Sequence, residues 1–211
     1  MIKVEDIEVW GFEHAIRGMR NPMNSWDKSD SRGFDPQLDC FDHGYQIGKN
    51  DLDLMRRLYK AGTEHRKYLR QIFVSMDITA PLYWWKEFDT YKIGTVSNSC
   101  STMHKIHIRE FTLNDFSHEH LHIDSIMLLE QYIGELNRNR ENYLNHKDKN
   151  DWWQLIQLLP SSYNQKRTIT MNYENVVTII KQRSGHKLDE WNNLVVELKQ
   201  LPYIKEIINA D

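Results

Sequence analysis

The stretch Trp152–Trp191, WWQLIQLLPSSYNQKRTITMNYENVVTIIKQRSGHKLDEW, decides the fold, because it punctuates a helix, a strand and a second helix in one run. Leu155, Ile156, Leu158 and Leu159 form the apolar end of a helix that Pro160 stops, since proline removes an N–H donor and clashes with the preceding turn. Ile169 and Met171 alternate with Thr168 and Thr170, the period-two pattern of a half-buried strand. A helix beginning at Tyr173 carries Val176, Val177, Ile179 and Ile180 on its inner face until Gly185 supplies a left-handed terminus. Arg183 and His186 therefore sit at a helix C-terminus. Two readings follow: cations there offset the helix dipole by about 0.3–1 kcal/mol, or the pair belongs to a binding site.

Upstream, QIFVSMDITAPLYWWKEFDTYKIGTVSNSCSTMHK (Gln71–Lys105) opens as a strand with Ile72, Val74, Met76 and Ile78 on one face. Pro81 is suited to the first helical position, and Leu82, Trp85 and Phe88 follow at helical spacing. Gly94 breaks the pattern, and a hydroxyl-rich loop runs from Thr95 to Thr102. A helix is expected over Leu121–Tyr143, with Ile126, Leu129, Ile133 and Leu136 at core spacing. Ile2, Val4, Ile7 and Val9 suggest a first strand, and Asp51–Ala61 a helix capped by Asn50 or Asp51 and closed at Gly62. Between them, Gly18–Asn50 is a long irregular stretch in which Trp26, Phe34, Phe41 and Tyr45 favour an ordered, packed loop over a linker. Interleaved strands and helices point to an α/β class with a central β-sheet and packed helices. No repeat or boundary divides the chain, so one domain over 1–211 is expected.

Composition sets the outer bounds. The 211 residues are 40% hydrophobic, enough for one good core, and seven Trp with ten Tyr argue against disorder over most of the chain. A formal net charge of −3 argues against a nucleic-acid polymer as partner, while small nucleotides remain possible. Two cysteines, Cys40 and Cys100, are too few for a disulfide framework. No run is long and apolar enough for a signal peptide or a membrane span, and a reducing cytoplasm is the natural setting.

The order Leu159-Pro160, Asn172, Arg183, His186, Glu190 resembles the C-terminal part of the flavin-dependent thymidylate synthases, although the Arg-to-His interval is one residue shorter than is usual there. Aligned on Ala80-Pro81, the family's Arg-His-Arg signature falls on Thr90, Tyr91 and Lys92, its following serines on Thr95 and Cys100, its Glu on Asn98 and its last Arg on Thr102. Arginines usual in the family are replaced at Ile156 and Glu174, and a usual Glu by Arg70. The scaffold pattern thus extends from His65 to the C-terminus, while the signature keeps a cation only at Lys92 and a hydroxyl at Thr95.

The resemblance implies an α/β domain in a homotetramer that binds FAD and a pyrimidine nucleotide. It also implies reductive methylation of dUMP or a related deoxynucleotide, with NADPH and methylenetetrahydrofolate as co-substrates. It assigns Arg183 to the pyrimidine carbonyls, and Lys92, Thr95, Asn172, His186 and His65 to the cofactor. Asn98, Ser99, Cys100, Ser101 and Thr102 fall to the nucleotide. A nucleotide-binding or regulatory protein without turnover, on the same scaffold, is the second reading.

Other residues carry other readings. His118, His120 and His122 alternate, so a strand would bring them to one face as zinc ligands for a hydrolase, with His104 or His107 as a fourth. No H-E-x-x-H helix accompanies them, and a solvated polar loop accounts for the same residues. Cys100 reads as a small buried residue rather than a nucleophile. Arg17, Arg20, Arg66 and Arg70 could relocate anion recognition, since an Arg fork binds phosphate bidentately; Arg66 and Lys67 also fit a solvated charge run.

Overall fold

The computed structural model describes residues 2–33 and 44–208. In chain order the elements are β1 (Lys3–Trp10), α1 (Phe12–Arg20), α2 (Lys49–Lys60), β2 (Phe73–Pro81), α3 (Leu82–Phe88), β3 (Thr95–Ser99) and α4 (Thr102–Lys105). They continue as α5 (Ile123–His146), α6 (Lys149–Leu158), β4 (Asn164–Asn172), α7 (Tyr173–Arg183), α8 (Asp189–Leu198) and α9 (Ile204–Ile208). The strands form one antiparallel sheet in the order β1-β2-β4-β3, and the fold is of the α/β class.

The chain separates into two compact units, Met1–Glu5 with Asp77–Lys92 and Ser97–Ile169, and Asp6–Met76 with Ile93–Val96 and Thr170–Asp211. The first is built on Trp84, Trp85 and Phe88 of α3, whose rings meet at centroid distances of 4.8 to 5.4 Å, all buried. The Trp85 indole donates to the Gln165 carbonyl at 2.9 Å. A second cluster in this unit joins Ile133 and Leu136 of α5 to Leu155 of α6, Ile106, Phe111 and Phe116. In the other unit, Ile16 of α1, Met55 of α2, Ile72 just before β2 and Val74 within it, and Val176, Ile179, Trp191 and Leu194 of α7 and α8 are at most 2% exposed. Each such aliphatic side chain contributes about 1.5–3 kcal/mol by leaving water.

The central strands follow their alternation: Ile72, Val74, Met76, Ile78, Ile169 and Met171 are at most 1% exposed. The apolar parity of β1 changes between Val4 and Ile7, and Asp6 between them adopts φ 51°, in the left-handed region, where the regular alternation of the strand is interrupted. Several expectations are corrected. Residues 95–99 of the hydroxyl-rich loop form the edge strand β3, whose polar side chains left no alternation to read. Pro81 ends β2 and caps α3 rather than opening it. The helix α2 starts at Lys49, and the distant carboxylate of Asp30, not Asn50 or Asp51, accepts from the N–H groups of Asn50 (2.9 Å) and Asp51 (3.1 Å).

Asp51 has a different role. Its carboxylate, fully buried, takes the Arg20 Nε at 2.6 Å on one oxygen and Ser29, Asp30 and Ser31 on the other. These contacts pin the irregular stretch after α1 to α2, yet Trp26 is 50% exposed rather than packed, its indole donating to Asn21 at 2.8 Å. The packing expected of Phe34 and Phe41 lies outside the described residues. In α5, Ile133 and Leu136 are buried as expected, whereas Ile126 and Leu129 are half-buried.

Candidate functional site

In the unit holding α7, strand β4 delivers Asn172 to the helix N-terminus, where its side-chain oxygen accepts from the Asn175 N–H at 3.0 Å. Asn175 in turn donates through Nδ2 to the Ile93 carbonyl (2.8 Å) and the Thr95 hydroxyl (2.9 Å). Gly94, at φ 74°, closes this knot, and a Cβ there would stand 2.5 Å from the Asn172 amide nitrogen. The structure therefore brings Asn172 and Thr95 together through Asn175. It also gives their polar atoms internal work: a helix cap and the anchoring of β3. Asn175 was missed by sequence reasoning, although an Asn three residues after an N-cap Asn was there to be noticed.

At the other end of α7, the Arg183 guanidinium lies over the Trp191 ring, 4.5 Å from its centroid, and its Nη1 meets His186 Nε2 at 3.2 Å. Trp191 is fully buried, so the guanidinium rests on a fixed platform. His186 Nδ1 accepts from the Leu188 N–H at 3.1 Å, and its carbonyl accepts from Asn192 at 2.8 Å. A neutral imidazole has one acceptor nitrogen, so the Arg183 and Leu188 contacts belong to alternative tautomers. Gly185, at φ 74°, makes the turn that folds His186 back toward Arg183. Trp191, the platform itself, was not among the candidates; its place in the first turn of the following helix was the available signal.

Arg66 is corrected from a solvated charge to half of a part-buried ion pair. Its Nε and Nη2 reach both Glu174 oxygens at 2.7 to 3.1 Å, and its guanidinium stands 5.3 Å from the Tyr59 ring centroid. The carboxylate standing where the resembled family has Arg is thus neutralised by a cation 108 positions earlier in the chain. His65 is exposed, and its backbone N–H donates to Gly62 at 3.0 Å.

In the unit holding α3 and α4, Lys92 is exposed in the turn after α3. Asn98 and Ser99 are exposed on β3. Cys100 donates its N–H to Lys166 at 2.9 Å and accepts from Gln165 at 2.8 Å, while Ser101 caps α4 by accepting from His104 at 3.1 Å. Cys100 is exposed, not buried as expected, because it lies beyond the last residue of an edge strand. Cys100, Ser101 and Thr102 share a cleft of about 110 Å³ with Lys105, Arg109 and Lys166. Arg109 is committed to Asp115, and Lys166 to Asp77 at 2.8 Å, which leaves Lys105 without an ion-pair partner among the described residues. Such a volume suits a phosphate group rather than a whole nucleotide, for which about 300 Å³ or more is usual.

The histidine expectation is overturned in its geometry. Residues 118–122 form a turn rather than a strand, and His118 Nδ1 pairs with the Phe116 carbonyl at 2.8 Å. Among the described residues no group of three His, Cys, Asp or Glu side chains is placed to hold a metal ion. Nor is any described helix long and apolar enough to cross a membrane.

No family model and no curated protein matches the sequence. Solved structures do. A flavin-dependent thymidylate synthase from Helicobacter pylori, complexed with FAD and dUMP, superposes with a TM-score of 0.69 at 18% identity, over 97% of this chain and 96% of that one. A second structure of that enzyme, also with FAD and dUMP, gives a TM-score of 0.67 at 16% identity, over 93% and 91% of the two chains. The fold is that of the flavin-dependent thymidylate synthases. The likeness runs through almost the full length of both chains, so the flavin-dependent thymidylate synthase fold accounts for the N-terminal strand and helices as well as for the C-terminal stretch.

Proposed function

We propose that this chain is a nucleotide-binding flavoprotein of the thymidylate synthase type, acting on dUMP or a related pyrimidine deoxynucleotide. The observation that carries the reading is Arg183. It sits on a buried tryptophan beside His186, at the end of a helix whose order of Asn, Arg and His resembles that family's, on a scaffold of that family's fold. A guanidinium seated over an aromatic ring keeps the planar donor geometry that suits a pyrimidine carbonyl and negative charge developing there.

The remaining residues fit FAD in part. Lys92 and His65 are exposed, and their side chains make no hydrogen bond or ion pair with a described residue, so both are free to meet a phosphate. His186 would orient a ring system from beside Arg183. Asn172 and Thr95 serve by holding the knot around Gly94. FAD, when bound, supplies the hydride-transfer chemistry that no side chain has. NADPH as reductant, methylenetetrahydrofolate as one-carbon donor, a homotetramer and a cytoplasmic setting complete the proposal. Asn98, Ser99 and the Cys100–Thr102 segment would meet the nucleotide, with Lys105 as the nearby cation.

One observation favours the second reading, nucleotide binding without turnover: the Arg66–Glu174 pair puts a neutralised carboxylate where an arginine would hold phosphate. Tritium release from [5-³H]dUMP, with FAD, NADPH and methylenetetrahydrofolate present, separates the two. Release together with dTMP formation establishes the enzyme. Saturable dUMP binding with no release establishes the second reading, and absence of both removes the proposal.

A further inference from the structure

Where α5 gives way to α6, a cleft of about 380 Å³ is lined by His104, His107, Tyr143, Lys147, Lys149 and Trp152. We propose that it binds a small phosphorylated ligand, its phosphate held by Lys147, Lys149 and the Nε2 side of His107. The site lies within one unit, and none of the three residues that hold the phosphate is assigned above to flavin or pyrimidine; Lys105, placed beside the nucleotide above, adds only to the surrounding charge, so the site is tested independently of the proposed function.

Charge is the first argument. No carboxylate lines the cleft. Of the nearby acids, Asp151 pairs with His146 at 2.9 Å, and Asp148 is turned to the α6 N-terminus, where it accepts from the Asn150 N–H at 3.0 Å and is offset by the positive end of the helix. Arg140, also close by, donates to the neutral carbonyls of His107 and Ile108, at 2.9 and 3.2 Å, and has no carboxylate partner among the described residues. The side chains of Lys105 and Lys149 have no hydrogen-bond or ion-pair partner among the described residues. Lys147 rests over the Tyr143 ring, 5.5 Å from its centroid, with no carboxylate partner. An uncompensated group of cations around a concave surface is an anion site in waiting.

His107 is the second argument. Its Nδ1 is buried with no hydrogen-bond partner, and the ring packs edge-on against Tyr143 at 4.9 Å, which leaves Nε2 as the accessible nitrogen. Burial, then the charges of Lys147, Lys105 and Arg140, hold this imidazole below the ordinary histidine range. Lys147, Lys149, Lys105, Arg140 and His104 are the basic groups around it; the Tyr143 phenol ring lies against it, and the nearby Asp148 carboxylate is turned to the α6 N-terminus, so the charge at the cleft is predominantly positive. An anion entering the cleft offsets that field, so its binding raises the affinity of His107 for a proton. Trp152, fixed by its indole bond to the Met103 carbonyl at 3.0 Å, gives the cleft an aromatic wall for whatever the phosphate is attached to.

The test is a titration of the full chain with inorganic pyrophosphate at constant ionic strength, followed through ¹³C-labelled histidine resonances. The Cε1 resonance abolished by His107→Gln is expected to move saturably, and its titration midpoint to rise in saturating pyrophosphate. Lys147→Asn with Lys149→Gln should weaken binding about tenfold or more, the loss of charge-assisted hydrogen bonds. Asn is chosen at 147 because it tolerates that residue's left-handed backbone, φ 56°. Uridine, which has the ring and no phosphate, should leave the resonance in place. Absence of saturation, equal affinity in the double variant, or equal movement with uridine or with chloride would overturn the proposal.

Discussion

Asp51→Ala is expected to be among the most damaging single substitutions in the chain. The carboxylate is fully buried and accepts five hydrogen bonds, from Arg20 Nε, the Ser29 and Ser31 hydroxyls and the N–H groups of Asp30 and Ser31, at 2.6 to 3.1 Å. Removing it leaves the Arg20 guanidinium, only 5% exposed, without its anion. Breaking a buried pair from one side costs about 3–5 kcal/mol. With a urea m-value of about 2 kcal/mol/M, the unfolding midpoint should fall by about 2 M. Protein concentration must be held fixed, because any self-association adds to apparent stability. Arg20→Met with Asp51→Leu removes both charges together and should recover at least about 1 kcal/mol relative to Asp51→Ala, the coupling expected of neighbours. A loss below about 1 kcal/mol for Asp51→Ala, or strict additivity in the cycle, would refute the claim that this pair anchors the stretch after α1.

Three further outcomes follow from the same geometry. Arg183→Lys keeps a charge over Trp191 and loses the fork, so affinity for dUMP should fall about tenfold or more with thermal unfolding unchanged; equal affinity would return Arg183 to a helix-end role. Asn172→Ala removes the α7 cap and should cost about 1 kcal/mol by denaturant titration, with a further loss of order around Thr95 visible in amide exchange. Asp51 and Asp115 both lie below the ordinary carboxylate range: burial pushes each up, but hydrogen bonds from Ser31, Ser29 and Arg20, and from Arg109 and Thr112, outweigh it. Their folded pKa values are depressed, so their stabilisation is present above about pH 4 and lost as pH falls through the depressed values. Acid unfolding curves of Asp51→Asn and Asp115→Asn should accordingly be flatter in that range than wild type.

The parts of the fold that the sequence reveals are those that bury one regular face. Ile72 to Ile78, Ile169 with Met171, and Val176 to Ile180 announce themselves because alternation or helical spacing is imposed by a core on one side. The edge strand β3 is exposed over residues 96–99, so nothing selects an apolar face in TVSNS and it reads as a loop. Contacts between distant positions were equally silent: Asp30 caps a helix that begins 19 residues later, and Arg66 meets Glu174 across 108 positions. Local rules placed the cap on the nearest Asn or Asp and treated Arg66 as solvated, because neither rule contains the partner. In the candidate site, Arg183 and His186 were readable from a glycine-ended helix, whereas the Trp191 platform and the Asn175 bridge depend on how α8 and β3 return to α7.

The measurement that bears most directly on the proposed function is the visible absorption spectrum of the purified protein after incubation with FAD and removal of unbound cofactor, taken before and after addition of dUMP. The account predicts a retained flavin band, saturable in FAD, whose shape changes when dUMP binds and changes less in Arg183→Lys. A well-folded protein that retains no flavin at high-micromolar FAD would contradict it, leaving the fold without the cofactor.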